Sequence, residues 1–257
     1  MKFLGVSLKM YFDHQRTLAW TGRIIEAVES AGQLGAVEVV LFPSFVSIPA
    51  VVDLVGRQHQ TIRVGAQNVA DHASGPFTGE VSAASLKQVG CHFVEIGHAE
   101  RRRLFGENNA IASGKVAAAL DQGMVPLLCV GEPGEVAMAA AGDYCIEQLE
   151  AILGSLAGDQ LAGQRVDIAY EPVASIGASR PADEQHILAV CQQLSRWASR
   201  ECPDTSVRVV YGGSAGPGLL SRLGVGVDGL FLGRFAHDPE AFAQVLAEAS
   251  GQPKRSD

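Results

Sequence analysis

The sequence predicts a single-domain α/β fold in which eight strands close into a (β/α)8 barrel. Eight short, nearly continuous apolar runs recur along the chain, and segments with helical periodicity lie between them. Runs without polar alternation are typical of parallel strands that are covered on both faces. Such an alternation can close into a barrel or spread into a doubly wound sheet, and the number eight favours closure.

The apolar runs and the segments between them give the predicted elements in chain order. Four of the helical segments are TLAWTGRIIEAVESAG, NAIASGKVAAALDQG, DEQHILAVCQQLSRWASR and PEAFAQVLAEAS. Polar residues such as Asp183 start these helices, and glycines such as Gly123 end them. Without a linker or charge run, we predict one barrel over residues 1–250 and a polar tail over residues 251–257. The predicted strands are FLGVSL from Phe3, VEVVLF from Val37, IRVGA from Ile62, HFVEIG from His92, VPLLCV from Val125, VDIAY from Val166, VRVVY from Val207 and GLFLG from Gly229.

The composition favours a compact globular protein and excludes several partners. With 257 residues, of which 47% are hydrophobic and 19% charged, the chain can bury one large core and has little tendency to disorder. The net charge of −8 argues against nucleic acid or an anionic membrane, because neither attracts an acidic protein. The five cysteines lack CxxC spacing and read as small buried residues; with no signal segment, a cytoplasmic location is expected. We predict no metal ion and no cofactor.

Polar residues gather where the apolar runs end. The runs are followed in turn by LKM, PS, QN, GHAER, GEP, EP, GGS and GR, and the starts of the runs show nothing comparable. In a (β/α)8 barrel the C-terminal ends of the strands form one rim, where active sites are built. The pattern therefore predicts a site at this rim.

The motif YGGSAG after the seventh run predicts a phosphate site. Gly212 and Gly213 let the backbone approach a ligand closely. The last two βα loops of such barrels often present N–H groups and a helix N-terminus to phosphate. Elsewhere in a chain YGGS would be an ordinary turn, so its position after the seventh strand carries the prediction.

Three ionisable residues follow other strands, and they predict a catalytic site only when they are considered together. Taken singly, Lys9 also fits a solvated surface residue, His98 a structural histidine and Glu171 a rim ion pair. A cation, an imidazole and a carboxylate beside a phosphate cradle are what proton transfer next to the carbonyl of a phosphorylated sugar requires. We therefore predict these three as catalytic residues.

The motifs of the chain, in their order and spacing, resemble those of the triosephosphate isomerase family, whose fold is the TIM barrel. The resemblance covers nearly the whole sequence and implies a sugar-phosphate isomerase. The matching motifs are AQN from Ala66, TGE from Thr78, GHAERRRLFGE from Gly97, CVGE from Cys129, AYEPV from Ala169, IG from Ile176, YGGS from Tyr211 and DGLFLG from Asp228.

The resemblance implies a role for each rim residue. Glu171 would be the base that removes a proton beside the substrate carbonyl, neutral His98 would polarise the substrate oxygens, and Lys9 would add positive charge. Pro172 and Val173 would begin a lid whose closure excludes water, a motion for which this family is a standard example. Further implied neighbours are Glu100 beside Lys9, Cys129 beside Glu171, and the N–H groups of Gly177, Ser214 and Gly233 around the phosphate.

The resemblance also implies a homodimer. Gln67 and Asn68, together with the loop GPFTGE from Gly75, match the segment that such enzymes insert into a neighbouring subunit. The alternative for this loop is a plain surface excursion.

The chain departs from the family pattern at several positions. Ser7 replaces the usual asparagine before the lysine, and Ala99 replaces the serine after the histidine. Ala174 stands for a tryptophan at the start of the lid, and Arg234 for the second glycine of the last phosphate loop. Arg234 either pairs with phosphate or points outward to a rim acid. Two further departures are Leu219 for an asparagine and ASR from Ala178 for TGK.

These departures leave the substrate open. The first expectation is the family's usual reaction, dihydroxyacetone phosphate to D-glyceraldehyde 3-phosphate. Ser7 and Arg234 together resemble a branch that converts L-erythrulose 1-phosphate to D-erythrulose 4-phosphate, and Ser7, Ala99 and Ala174 would make room for its extra hydroxymethyl group. A non-catalytic sugar-phosphate sensor is a third possibility, although a sensor needs no base.

Overall fold

The strands of the barrel pair in parallel in chain order, and the last strand pairs with the first. A computed structural model describes residues 1–32, 37–56, 59, 61–134, 136–156 and 158–251. The predicted single-domain (β/α)8 barrel is confirmed. The predicted polar tail, apart from Gly251, lies outside the described residues. The strands are β1 (Lys2–Ser7), β2 (Val37–Phe42), β3 (Ile62–Ala66), β4 (Phe93–Ile96), β5 (Val125–Val130), β6 (Arg165–Tyr170), β7 (Ser206–Tyr211) and β8 (Gly229–Leu232).

Helices follow the strands in the predicted alternation. The helical segment predicted from Thr17 begins earlier, because the Asp13 side chain accepts a hydrogen bond from the Arg16 N–H at 2.8 Å and caps the helix there. Asp183 caps a later helix in the same way, as its polar start predicted. The helices are α1 (His14–Ser30), α2 (Ile48–Val55), α3 (Ala83–Val89), α4 (Ala99–Phe105), α5 (Asn109–Asp121), α6 (Met138–Leu153), α7 (Gly158–Leu161), α8 (Glu184–Glu201), α9 (Leu219–Leu223) and α10 (Pro239–Ser250).

Aromatic rings fill the inside of the barrel. Phe3, Phe42 and Phe231 are buried there in a cluster separate from the larger apolar core between strands and helices. Glycines make room for these rings, since a Cβ atom at Gly65 would lie 2.5 Å from the ring of Phe42. The interior is therefore a packed core and leaves no space for a ligand at mid-height.

An ion-pair network closes the barrel at the N-terminal ends of the strands. Arg165 pairs with Glu38 at 2.7 Å and with Asp167 at 3.0 Å, and Arg208 pairs with the same two carboxylates. This network accounts for Asp167, the one charged residue within the sixth apolar run. Because this end is filled, a ligand can enter only at the opposite rim.

The cysteines, the helix lengths and the metal-binding side chains can be compared with the expectations from the sequence. All five cysteines are buried and free. Among the described residues, no helix is long and apolar enough to cross a membrane, and no group of His, Cys, Asp or Glu side chains is arranged to hold a metal ion.

Candidate active site

A pocket of about 490 Å³ opens at the C-terminal rim of the barrel. Its volume lies in the range of small-molecule sites. The structure brings together all the residues that the sequence predicted for catalysis and substrate binding. The predicted residues that line the pocket are Ser7, Lys9, His98, Glu171, Gly177, Gly212, Gly213, Ser214, Gly233 and Arg234.

Lys9 enters the pocket from the loop after β1 in a strained conformation. Its φ of 47° is the only left-handed one at a non-glycine position in the described part of the chain. Its carbonyl oxygen accepts hydrogen bonds from Gln67 Nε2 at 3.0 Å and Ser44 Oγ at 3.2 Å, which hold the turn. Its Nζ donates to Glu100 Oε1 at 2.8 Å. Burial opposes the charge, but the ion pair with Glu100 outweighs it and the pKa of Lys9 lies above its ordinary value.

His98 is held as a neutral imidazole with a defined tautomer. It caps the N-terminus of α4, and its Nδ1 accepts a hydrogen bond from the Glu100 N–H at 3.1 Å. Nδ1 is therefore unprotonated, and the ring proton resides on Nε2. Burial, followed by the nearby charge of Lys9, lowers the pKa of His98. The imidazole thus presents an N–H donor to the pocket without carrying positive charge.

Glu171 lies at the end of β6 with its carboxylate facing His98. Its Oε2 lies 3.4 Å from His98 Nε2 and has no hydrogen-bond partner among the described residues. Gly212 makes this position possible, because a Cβ atom there would lie 2.7 Å from Cγ of Glu171. Burial, followed by the charge of Glu95, raises the pKa of Glu171 well above its ordinary value. A buried carboxylate of this kind is a strong base aimed into the pocket.

Backbone N–H groups and one guanidinium form a cradle suited to an anion. Within the described residues, the N–H groups of Gly177, Gly213 and Gly233 have no protein acceptor. The N–H of Ser214 differs from this expectation, since it donates to the carbonyl oxygen of Ser175 at 3.0 Å. Arg234 makes no ion pair with an acid among the described residues; its guanidinium donates to the carbonyl oxygen of Gly177.

The YGGS motif also holds the segment after Glu171. The hydroxyl of Tyr211 accepts a hydrogen bond from the Ala182 N–H at 3.1 Å, and Ser214 Oγ donates to the carbonyl oxygen of Ala178 at 2.8 Å. Sequence reasoning missed this role of Tyr211. The signal was present, because a tyrosine at the end of a buried strand needs a partner for its hydroxyl.

Glu95 is a second residue that sequence reasoning missed. It lies on β4 with its side chain buried inside the barrel, and its Oε2 accepts a hydrogen bond from Ser7 Oγ at 3.0 Å. Burial raises its pKa to about 7, although Lys9 and Ser7 oppose the shift. The signal was the alternation along β4, which places Glu95 on the same inward face as Phe93.

Other residues chosen from the sequence lie outside the pocket lining. Gln67 supports the Lys9 loop, and Asn68 accepts a hydrogen bond from Lys115 Nζ at 2.7 Å, so both make contacts within their own chain. Ala99 is the first residue of α4, and Ala174 is exposed on a 3₁₀ turn. Of the three small residues expected to make room, only Ser7 lines the pocket.

The sequence of this chain matches a known protein family. A family model described as triosephosphate isomerase matches residues 2–249.

The individual proteins that are similar to this chain are named for two different isomerase activities. An L-erythrulose-1-phosphate isomerase from Pectobacterium atrosepticum is 47% identical over 249 residues, which cover 96% of this chain and 95% of the relative. A triosephosphate isomerase from Mycobacterium avium is 36% identical over 254 residues, 95% of each chain. A triosephosphate isomerase from Symbiobacterium thermophilum is 40% identical over 226 residues, 86% of each chain.

Proposed function

Because this chain belongs to the triosephosphate isomerase family, and is therefore a sugar-phosphate isomerase, we propose that it converts L-erythrulose 1-phosphate to D-erythrulose 4-phosphate. The observation that carries the proposed chemistry is the unpartnered carboxylate oxygen of Glu171, which lies 3.4 Å from Nε2 of His98. A base and a hydrogen-bond donor at this separation can contact adjacent atoms of one substrate.

The proposed reaction moves one proton between neighbouring carbons. Glu171 removes the proton from carbon 3, the electron pair of the broken C–H bond forms the C2–C3 double bond, and the carbonyl oxygen of carbon 2 becomes an enediolate oxygen. The N–H of His98 and the charge of Lys9 stabilise that oxygen. The hydroxyl proton of carbon 3 passes to the oxygen of carbon 2, Glu171 returns its proton to carbon 2, and the carbonyl forms on carbon 3. Nothing is gained or lost, so the product is an isomer.

The cradle of N–H groups would bind the phosphate of this substrate. Gly177, Gly213 and Gly233 offer dipoles without net charge, and the guanidinium of Arg234 adds a cation at the same place. We propose that Ser214 joins them when the segment after Glu171 shifts over the ligand and its N–H leaves Ser175. A covered pocket also protects the enediolate from losing its phosphate.

Two observations support the four-carbon substrate. The relative named for L-erythrulose 1-phosphate shares 47% of its aligned residues with this chain, against 36% and 40% for the two triosephosphate isomerases. In addition, Ser7 lines the pocket where the family usually has a longer asparagine, and the shorter side chain leaves more room for a substrate.

The triose reaction is the second candidate. Dihydroxyacetone phosphate needs the same base, donor and cradle, and the groups of Lys9, His98 and Glu171 are all in place for it. A sensor without catalysis, the third possibility, gives no reason for a carboxylate whose pKa burial raises so far.

Kinetic comparison of the two substrates tests the proposal. We expect purified protein to turn over L-erythrulose 1-phosphate at a kcat/KM at least about 10-fold above that for dihydroxyacetone phosphate. Glu171→Gln keeps the shape of the side chain but not the base, and should lower kcat by about 10² to 10⁴. Turnover of dihydroxyacetone phosphate alone would contradict the proposed substrate and favour the triose reaction. Binding of either sugar phosphate without turnover would favour the sensor.

We also propose that the protein is a cytoplasmic homodimer. Large apolar side chains are exposed around the Lys9 loop and the end of α4, including Met10, Val46 and Phe105. Several exposed apolar side chains near a catalytic loop support burial against a second copy. Five free, buried cysteines support the reducing compartment.

A further inference from the structure

Glu95 occupies a position where the fold itself calls for an apolar side chain. It shares the inward face of β4 with Phe93, above the aromatic cluster that fills the barrel. The residue is 4% exposed, and in the described part of the chain its one hydrogen bond comes from Ser7. Burying a carboxylate with a single neutral donor costs stability. Such a residue calls for a functional explanation.

The hydrogen bond between Ser7 and Glu95 fixes which way the serine hydroxyl points. Oγ of Ser7 donates its proton to Glu95 Oε2 at 3.0 Å. A hydroxyl that donates a hydrogen bond to a carboxylate keeps its lone pairs available. The negative charge of the carboxylate also makes the hydroxyl oxygen a better hydrogen-bond acceptor. Ser7 lines the pocket, whereas Glu95 lies behind it. The pair therefore offers the pocket a hydroxyl acceptor of defined orientation.

The Ser7–Glu95 pair lies beside His98, where the carbon chain of the substrate would lie. Glu95 Oε1 is 4.0 Å from Nε2 of His98, the same nitrogen that approaches Glu171. The anion cradle comes from the loops after β6, β7 and β8. Ser7 ends β1, which pairs with β8, and its Oγ is directed to Glu95 on β4, across the closed barrel from β8. A substrate whose phosphate is bound at Gly233 would extend across the barrel towards β4.

We propose that Ser7, oriented by Glu95, binds the terminal hydroxyl of the four-carbon substrate and thereby determines its selection over the triose. The substrate hydroxyl donates to Ser7 Oγ, which donates to Glu95. A triose phosphate has no hydroxymethyl group on the reacting carbon and leaves this acceptor unpaired. The inference rests on the proposed function and adds the residues that would recognise the fourth carbon.

Binding of two unreactive polyol phosphates tests the inference apart from catalysis. Erythritol 4-phosphate carries the additional hydroxymethyl group and glycerol 1-phosphate lacks it, and calorimetry gives Kd for each. We expect the wild-type protein to prefer the four-carbon ligand by about 10-fold or more. Ser7→Ala and Glu95→Leu should each bring the ratio of the two constants close to one. Glu95→Gln, which keeps an acceptor for Ser7, should retain part of the preference.

A buried carboxylate outside the pocket provides the matched control. Glu132 is buried and accepts a hydrogen bond from the Tyr170 hydroxyl at 3.1 Å, and it does not line the pocket. Glu132→Gln should leave the ratio at its wild-type value, and thermal melting shows that each variant is folded.

The outcomes separate the inference from the proposed function. A protein that turns over L-erythrulose 1-phosphate while Glu95→Leu and Ser7→Ala keep the full preference overturns the inference alone. Equal loss of preference in Glu132→Gln overturns it as well. A wild-type protein that acts only on the triose overturns the proposed function and, with it, the inference.

Discussion

His98 Nε2 lies 3.4 Å from Oε2 of Glu171, and the backbone of α4 fixes the imidazole so that this nitrogen carries the proton. The two side chains form an acid–base pair whose pKa values are shifted in opposite directions. Burial lowers the pKa of the histidine and raises that of the carboxyl group. The histidine therefore stays neutral while the carboxylate remains a strong base.

The first prediction concerns the pH dependence of the reaction. Glu171 acts only when it is ionised, so kcat/KM falls as the pH drops through the raised pKa of this carboxyl group. We expect the acid limb of the pH profile to lie well above the ordinary carboxylate range, with no contribution from His98. An acid limb at the ordinary value of a glutamate would contradict this assignment.

The second prediction concerns Arg234. Its guanidinium lines the cradle and donates to the carbonyl oxygen of Gly177, so it adds charge where phosphate would bind. Arg234→Met should weaken competitive inhibition by inorganic phosphate about 10-fold at low salt, with a smaller effect at high salt. The control is Arg222→Met, which removes an exposed partner of Glu184 outside the pocket. Equal inhibition constants for phosphate in the two variants would show that Arg234 does not bind the phosphate.

The third prediction is that Glu95 reduces stability at high pH. Burial raises its pKa to about 7 from an ordinary value of 4.5, so the folded protein holds this proton more tightly than the unfolded chain. Stability from this group is present at low pH and is lost as the pH rises from the ordinary value through the raised one. Glu95→Gln does not titrate and should be about 1 to 3 kcal/mol more stable than wild type near pH 8.

Denaturant unfolding at two pH values checks this sign. The difference between Glu95→Gln and wild type should shrink towards zero near about pH 4, because Glu95 is then protonated in both states. A variant less stable than wild type at high pH would show that the carboxylate stabilises the barrel.

The fourth prediction concerns the exposed apolar patch. Val46 is 80% exposed and Met10, which follows Lys9, is 93% exposed; the two loops meet where Ser44 Oγ donates to the carbonyl oxygen of Lys9. Val46→Glu should shift the sedimentation mass from two chains towards one, because burying an added carboxylate is costly. Val225, which is fully exposed in the turn before β8, provides the control, and Val225→Glu should leave the mass unchanged. A wild-type protein that sediments as one chain would contradict the dimer.

Sequence patterns predicted the barrel and the residues of the pocket because both depend on period and position. Eight apolar runs of strand length favour one closed sheet, and in a closed sheet the C-terminal ends of the runs lie on one rim. This reasoning placed Lys9, His98 and Glu171 in one pocket, although they are far apart in the chain.

The contact between Glu95 and Ser7 depends on side-chain direction and was not predicted. Glu95 lies within an apolar run, and only the inward alternation of β4 reveals that it approaches Ser7. Ala99 and Ala174 were expected to enlarge the pocket because they replace larger residues of the family pattern, yet neither lines the pocket. Distance from a catalytic residue along the chain does not determine whether a side chain faces the ligand.

The most direct test of the central claim is proton exchange at carbon 3 of L-erythrulose 1-phosphate in D₂O, followed by NMR. If Glu171 removes that proton, the wild-type protein exchanges it for deuterium during turnover, and Glu171→Gln slows exchange by at least about 100-fold. Exchange at the wild-type rate in Glu171→Gln, or turnover in which carbon 3 never loses its proton, would contradict the account.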